Sequence, residues 1–199
     1  MGTGHSTQID FWQIPQDGPF WGCRSNRPGH SVLVLTSGDN VVTSLEPFAV
    51  QAGGPTRLET PTGDSAYVMA STRDTHGSLT IIELVISPKN GPALHTHLRE
   101  DEVWYVIEGN FRFKAGDEMF WVSEGGLAFG PRGTPHSFQN VGEAPGRLLI
   151  ITVPAGAERL FEEHNQLLPG PVDPEALADV ARANWVDFVG PQLKVSDPI

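Results

Sequence analysis

Two histidines one residue apart, His95 and His97, are the residues of this chain best suited to chemistry. On a strand, positions i and i+2 face the same side, so both imidazoles point together. Glu102 follows five residues after His97, and strict alternation would place it on the opposite face. The intervening Leu98-Arg-Glu-Asp101 must therefore turn or bulge to bring it back. A third histidine, His136, sits in Gly125-Gly-Leu-Ala-Phe-Gly-Pro131-Arg-Gly133-Thr-Pro-His136-Ser-Phe-Gln-Asn140 and comes from a different strand. Three neutral imidazoles and one carboxylate suit a divalent transition metal, whether Fe, Ni, Co, Mn or Zn. Such a set leaves a net charge of about +1 and one or two open positions. Open positions let a metal polarise a substrate oxygen or bind dioxygen.

The elements that must position these residues are short strands. Candidates run over 66–71, 78–87, 102–108, 111–114, 118–122, 127–130, 135–140 and 147–153, with Gly, Pro, Asn or Asp in the breaks. Many short strands with no helix between them predict a sandwich or barrel. Within 102–108, Trp104 and Val106 share the face of Glu102, and Tyr105 faces away; Phe138 shares the side of His136. Residues 1–60 read as an N-terminal arm with a hairpin. Phe11, Trp12, Phe20 and Trp21 are its apolar anchors, and strands 31–36 and 41–45 flank Ser37-Gly-Asp-Asn40. Residues 51–64 are turn-rich and mark a soft boundary. The barrel itself is expected over 61–155 and a helical tail over 156–199. In that tail Ala157, Leu160, Phe161, His164 and Leu168 fall on one helical stripe. Asp173 before Pro174 reads as an N-cap with proline at the first helical position, followed by Leu177, Val180, Ala181 and Trp185 at helical period.

Composition narrows the function classes. The chain has 199 residues, enough for one sizeable core, and 22 glycines with 17 prolines favour turns over long helices. A net charge of −11 argues against a nucleic-acid partner or an anionic membrane surface. No run of about 18 apolar residues is present, so no membrane helix is expected. The first residues lack the basic and apolar regions of a signal peptide, and the default location is cytoplasmic. Cys23 is the one cysteine, which excludes an intramolecular disulfide and fits a reducing compartment.

The two histidine segments resemble the paired motifs of the cupin family. His95-x-His97-x4-Glu102-x6-Gly109 fits the first, with its leading glycine shifted: Gly91 stands only four positions before His95, where it is expected to serve a turn. Gly125, Pro131, Gly133, His136 and Asn140 fit the second in full, and a short linker of 15 residues, Asn110 to Glu124, separates them. The resemblance covers about residues 64–170. It implies an all-β fold, a jelly-roll-like cupin β-barrel with a strand-rich N-terminal arm and two short C-terminal helices. It also implies one metal per chain, held by His95, His97, Glu102 and His136.

Among cupins the chain is most similar to single-domain bacterial members resembling quercetin 2,3-dioxygenase. That similarity implies that Glu102 accepts a proton from an acidic substrate hydroxyl, after which the enolate reacts with dioxygen. The substrate would be a flavonol or another enolisable aromatic or polyketide hydroxy-ketone. Trp104, Val106, Phe111, Phe113 and Phe138 are the expected walls of a flat apolar pocket, against the plainer reading of barrel core. The same four ligands also serve oxygen-independent cyclases, isomerases or decarboxylases, or a non-catalytic small-molecule-binding cupin. The expected partners are a small-molecule substrate, dioxygen and a second copy of the chain in a homodimer. Arg99, Glu100 and Asp101 read mainly as a solvated turn, with a partner for a ligand histidine as the alternative, and His164 as a packed histidine rather than a fifth ligand. His5, His30 and His76 fall in loops and carry no assigned role.

Overall fold

Burial alternates along β2, β5, β8 and β10, and the strands form two facing antiparallel sheets. The computed structural model describes residues 45–54 and 56–194. The anchors Phe11, Trp12, Phe20 and Trp21, the 31–45 hairpin up to Ser44, Cys23, His5 and His30 lie outside the described residues. Eleven strands and two helices follow in chain order: β1 (Arg57–Glu59), β2 (Ser65–Ala70), β3 (Thr80–Ile86), β4 (Ala93–His97), β5 (Asp101–Glu108), β6 (Asn110–Ala115), β7 (Glu118–Ser123), β8 (Leu127–Gly130), β9 (His136–Asn140), β10 (Gly146–Val153), α1 (Glu158–Gln166), α2 (Pro174–Ala183) and β11 (Val186–Gln192). One sheet has the order β1-β2-β3-β10-β5-β8 and the other β11-β4-β9-β6-β7. This is the expected jelly-roll, as two sheets packed face to face and not one hydrogen-bonded closed barrel. Among the described residues no helix is long and apolar enough to cross a membrane.

The inner faces hold the core. Ile82, Leu84 and Ile86 of β3, Leu148 and Ile150 of β10, and Trp104 and Val106 of β5 face Phe111, Phe113 and Phe138 of the second sheet. These positions alternate with more exposed ones such as Tyr105, as the pleat requires. Each large apolar side chain buried this way contributes about 1.5–3 kcal/mol. The four rings Trp104, Phe111, Phe113 and Phe138 have centroids 5.4–6.5 Å apart in tilted and edge-on arrangements, so they fill that end of the sandwich completely enough to exclude a ligand.

Strand positions agree with the sequence to within two residues, but three features differ. β1 lies in the segment read as turn-rich, paired through Arg57↔Tyr67 to Glu59↔Ser65. β11 follows α2 in a tail expected to be helical only, and it pairs with β4 through Val186↔His97 and Phe188↔His95. Trp185, placed by periodicity on the α2 stripe, instead leaves the helix at φ 61 and is 55% exposed. The exchange is favourable because β11 covers the open edge of β4, whose ladder groups would otherwise face water.

The helices are tied to the strands by buried polar contacts. Glu158, 3% exposed, accepts hydrogen bonds from the Thr72 amide at 2.7 Å and the Thr80 hydroxyl at 2.5 Å. Asp173 caps α2 by accepting from the Glu175 amide, with Pro174 first in the helix, as its sequence implies. Asn140 closes the second motif by donating to the Ile86 and Ala144 carbonyls, which ties β9 to the end of β3 and the turn before β10.

Gly91 does not serve the turn expected of it. A β-carbon there would stand 1.9 Å from the Phe138 carbonyl oxygen, so glycine is required for backbone approach between the lead-in to β4 and β9. Gly91→Ala is expected to force those strands apart at a cost of about 2 kcal/mol, which lowers Tm by about 4–8 °C. A thermal melt followed by circular dichroism checks this; an unchanged Tm would remove the close-packing argument.

Candidate metal centre

Both histidine motifs cross from one sheet to the other at the same end of the sandwich. β4 carries His95 and His97 in the five-stranded sheet, and the chain then passes to β5 of the six-stranded sheet, which carries Glu102. β8 ends at Gly130 opposite Glu102, and the chain crosses back to β9, which begins at His136 opposite His95. The parity problem at Glu102 is thus solved by a change of sheet rather than a bulge within a strand. The amide of Gly133, a turn residue at φ 77, donates to the His97 carbonyl at 2.7 Å and fastens the second crossing to the first.

The four side chains converge. One ligand atom from each of His95, His97, Glu102 and His136 lies within 4.8 Å of the others, and all four residues are buried. Glu102 Oε2 is 3.1 Å from His136 Nε2 and 3.4 Å from His97 Nε2. Behind the rings, His95 Nδ1 stands 2.8 Å from the Ala93 carbonyl and His136 Nδ1 2.9 Å from the Thr134 carbonyl. A carbonyl only accepts, so each Nδ1 carries the hydrogen and each Nε2 presents its lone pair inward. His136 Nε2 and Glu102 Oε2 are then two acceptors 3.1 Å apart, buried, with no hydrogen-bond partner. Such a pair is repulsive unless a cation lies between them, and buried polar atoms are seldom left unsatisfied. The residues fit a divalent metal, in the three-histidine, one-carboxylate set that accepts Fe, Mn, Ni, Co or Zn.

Titration of the cluster follows the same logic. Burial, with help from the neighbouring His136 and His97, pushes the His95 imidazole down to about 3. Burial would also lower His97, but the Glu102 and Glu100 carboxylates outweigh it and raise it. Burial would raise the Glu102 carboxyl; the imidazoles, His97 first, hold it down at about 2. A carboxylate kept ionised in a dry site is a ready metal ligand.

Glu100 belongs to the site, although the sequence reads as a solvated turn there. It is 2% exposed and its Oε2 lies 3.5 Å from His97 Nδ1, so it stands behind the third ring where a carbonyl stands behind the other two. The available signal was parity, since Glu100 and Glu102 are two residues apart. The flanking residues do form the outer turn: Arg132 grips Asp101 through its amide, Nε and Nη2 at 2.8–3.0 Å, and Arg99 donates to the Ala155 carbonyl. That grip holds the exposed Asp101 carboxyl at about 2. His164 is buried on α1 and, like His76, stands outside the four-residue group.

A cavity of about 430 Å³ opens over the cluster, lined by His95, His97 and Glu102 but not by His136, which is sealed at 0% exposure. Of the five expected pocket walls only Phe138 lines it. Trp104, Val106, Phe111 and Phe113 are on the correct inner face but form packed core below the site. Trp104 stands edge-on to His136 at 5.1 Å, and its ring fills the space where a Gly130 β-carbon would sit 2.4 Å away. The walls come instead from Ile82, Leu84, Ile86 and Ile150, and from Leu160, Phe161, Leu177 and Phe188 of the C-terminal segment.

Elemental analysis of purified protein is expected to find about one transition-metal ion per chain. His136→Ala should lose most of it, and full retention would refute the ligand set. Glu100→Gln should weaken metal affinity by about 10–100-fold in competition with a chelator; unchanged affinity would show that Glu100 does not steady His97.

Residues 83–152 match the Cupin domain family (Cupin_2). An uncharacterised protein of Methanocaldococcus jannaschii is 28% identical over 74 residues, which cover 37% of this chain and 59% of that relative, less than two thirds of its length. A predicted oxalate decarboxylase of Thermotoga maritima aligns with a TM-score of 0.49 and 20% identity, covering 54% of this chain and 99% of that one. KdgF from a Halomonas species aligns with a TM-score of 0.45 and 20% identity, covering 50% of this chain and 86% of its own. The matched residues 83–152 include both histidine motifs and all four converging side chains.

Proposed function

We propose that this protein is a metal-dependent cupin enzyme, a dioxygenase acting on a flavonol-like or other enolisable hydroxy-ketone. The observation that carries the reading is the placement of the cluster. His95, His97 and Glu102 face an apolar cavity while His136 is sealed behind them, so any open coordination position is directed at a bound molecule and away from bulk water. When bound, a divalent metal supplies Lewis acidity that makes a substrate hydroxyl easier to ionise.

The chain's own groups then have defined tasks. Glu102 accepts the hydroxyl proton, since among the described residues it is the one carboxylate that lines the cavity. Ala93, Thr134 and Glu100 hold the three rings in the orientation that presents Nε2. The aliphatic walls exclude water from the electron-rich enolate and admit dioxygen, an apolar molecule. Dioxygen as co-substrate, a homodimer and a cytoplasmic setting belong to the same proposal.

Oxygen uptake with quercetin as substrate tests it. Glu102→Gln is expected to keep the fold and lose at least about 100-fold in kcat, with metal content measured alongside. An unimpaired rate would remove Glu102 as the base. Equal turnover with and without oxygen would replace the dioxygenase with an oxygen-independent cyclase, isomerase or decarboxylase.

A further inference from the structure

The cavity is built from two parts of the chain with different origins. The cupin-matched residues 83–152 supply all four converging ligands. Nine of the 22 residues that line the cavity come from beyond that stretch, between 157 and 192. α1, α2 and β11 therefore form a wall that the shared domain does not contain. Leu160, Phe161, Leu177 and Phe188 make its apolar surface, and the exposed Pro174 and Gln192 stand at its rim. Gln192 Nε2 is already occupied, donating to the Gly91 carbonyl at 2.8 Å.

No lysine or arginine lines the cavity among the described residues, and its one carboxylate is Glu102. A negative charge on the body of a bound molecule would find no partner there and would be repelled by Glu102. Burying an unpaired charge in apolar surroundings is costly. An oxygen presented to the cluster is the one polar contact that the deep end of the cavity rewards.

We infer that the α1–β11 segment is the selectivity element of this protein, and that it admits molecules whose body beyond the coordinating oxygen is apolar and uncharged. The inference rests on the cavity being the substrate site, and it names the substrate class without depending on whether oxygen is consumed. The segment acts twice on the same site. β11 pairs directly with β4 at His95 and His97, so the strand that steadies two ligands also carries part of the wall that selects the substrate.

The test uses two probes that share a ring system and hydroxyl and differ by one remote anion: 2-naphthol and 6-hydroxynaphthalene-2-sulfonate. Both are titrated by calorimetry into the full-length protein as purified and again after metal removal. The neutral probe is expected to bind at least about tenfold more tightly in both states. Leu177→Lys should narrow that ratio at least about fivefold by giving the wall a cation. Gln192→Lys, at the exposed rim, should move it the same way. Equal affinities for the two probes, no binding of either, or a ratio unmoved by both lysine variants would overturn the inference. Absence of oxygen uptake alongside a preserved neutral preference would instead refute the dioxygenase reading alone.

Discussion

Everything at the working end of this protein depends on holding several lone pairs together in a dry place. Glu102 Oε2 and His136 Nε2 stand 3.1 Å apart, both buried and both acceptors when His136 donates from Nδ1 to the Thr134 carbonyl. Left to themselves these groups repel. The fold tolerates the arrangement because three strands from two sheets, β4, β5 and β9, fix the side chains from opposite directions. A cation held by His95, His97, Glu102 and His136 would turn that convergence into coordination. The aromatic layer of Trp104, Phe111, Phe113 and Phe138 gives the site a rigid floor, with Trp104 braced against His136.

That demand explains features that would otherwise look incidental. Gly91 and Gly130 are small because backbone or ring must pass where a β-carbon would be. Gly133 turns the chain so that its amide can hold the His97 carbonyl, and Asn140 binds the end of β9 to its neighbours. Glu100 is buried beside His97 at a position surrounded by charged surface residues. Gly133 and Glu100 act at His97 directly, and the direction of each ring decides whether three nitrogens meet at one point.

The C-terminal segment shows how one element can serve fold and chemistry together. Its strand completes the edge of the ligand-bearing sheet, and its helices roof the cavity. The buried Glu158 anchors that roof to Thr72 and Thr80, so the wall is tied to the sandwich rather than resting on it. The cupin-matched stretch supplies the four converging side chains, and residues outside it line much of the cavity beside them.

The sequence by itself determined the ligands. His95, His97, Glu102 and His136 were legible because coordination chemistry restricts residue type, and strand parity with motif spacing restricts position. The eight candidate strands were legible for the same reason, since alternation and turn residues are local properties. Tertiary structure decided what depends on distant partners. Parity placed Trp104, Val106, Phe111 and Phe113 on the inner face, but only packing could say that rings fill that end and leave the cavity among Ile82, Leu84, Leu160 and Phe188. β11 was hidden because Gly190 and Pro191 read as breakers, and its stability comes from the edge of β4 rather than from its own residues. Glu100 looked like solvated surface until the crossing between sheets buried it behind His97. Local chemistry writes ligand identity into the chain, whereas cavity shape is a property of surfaces brought together from far apart.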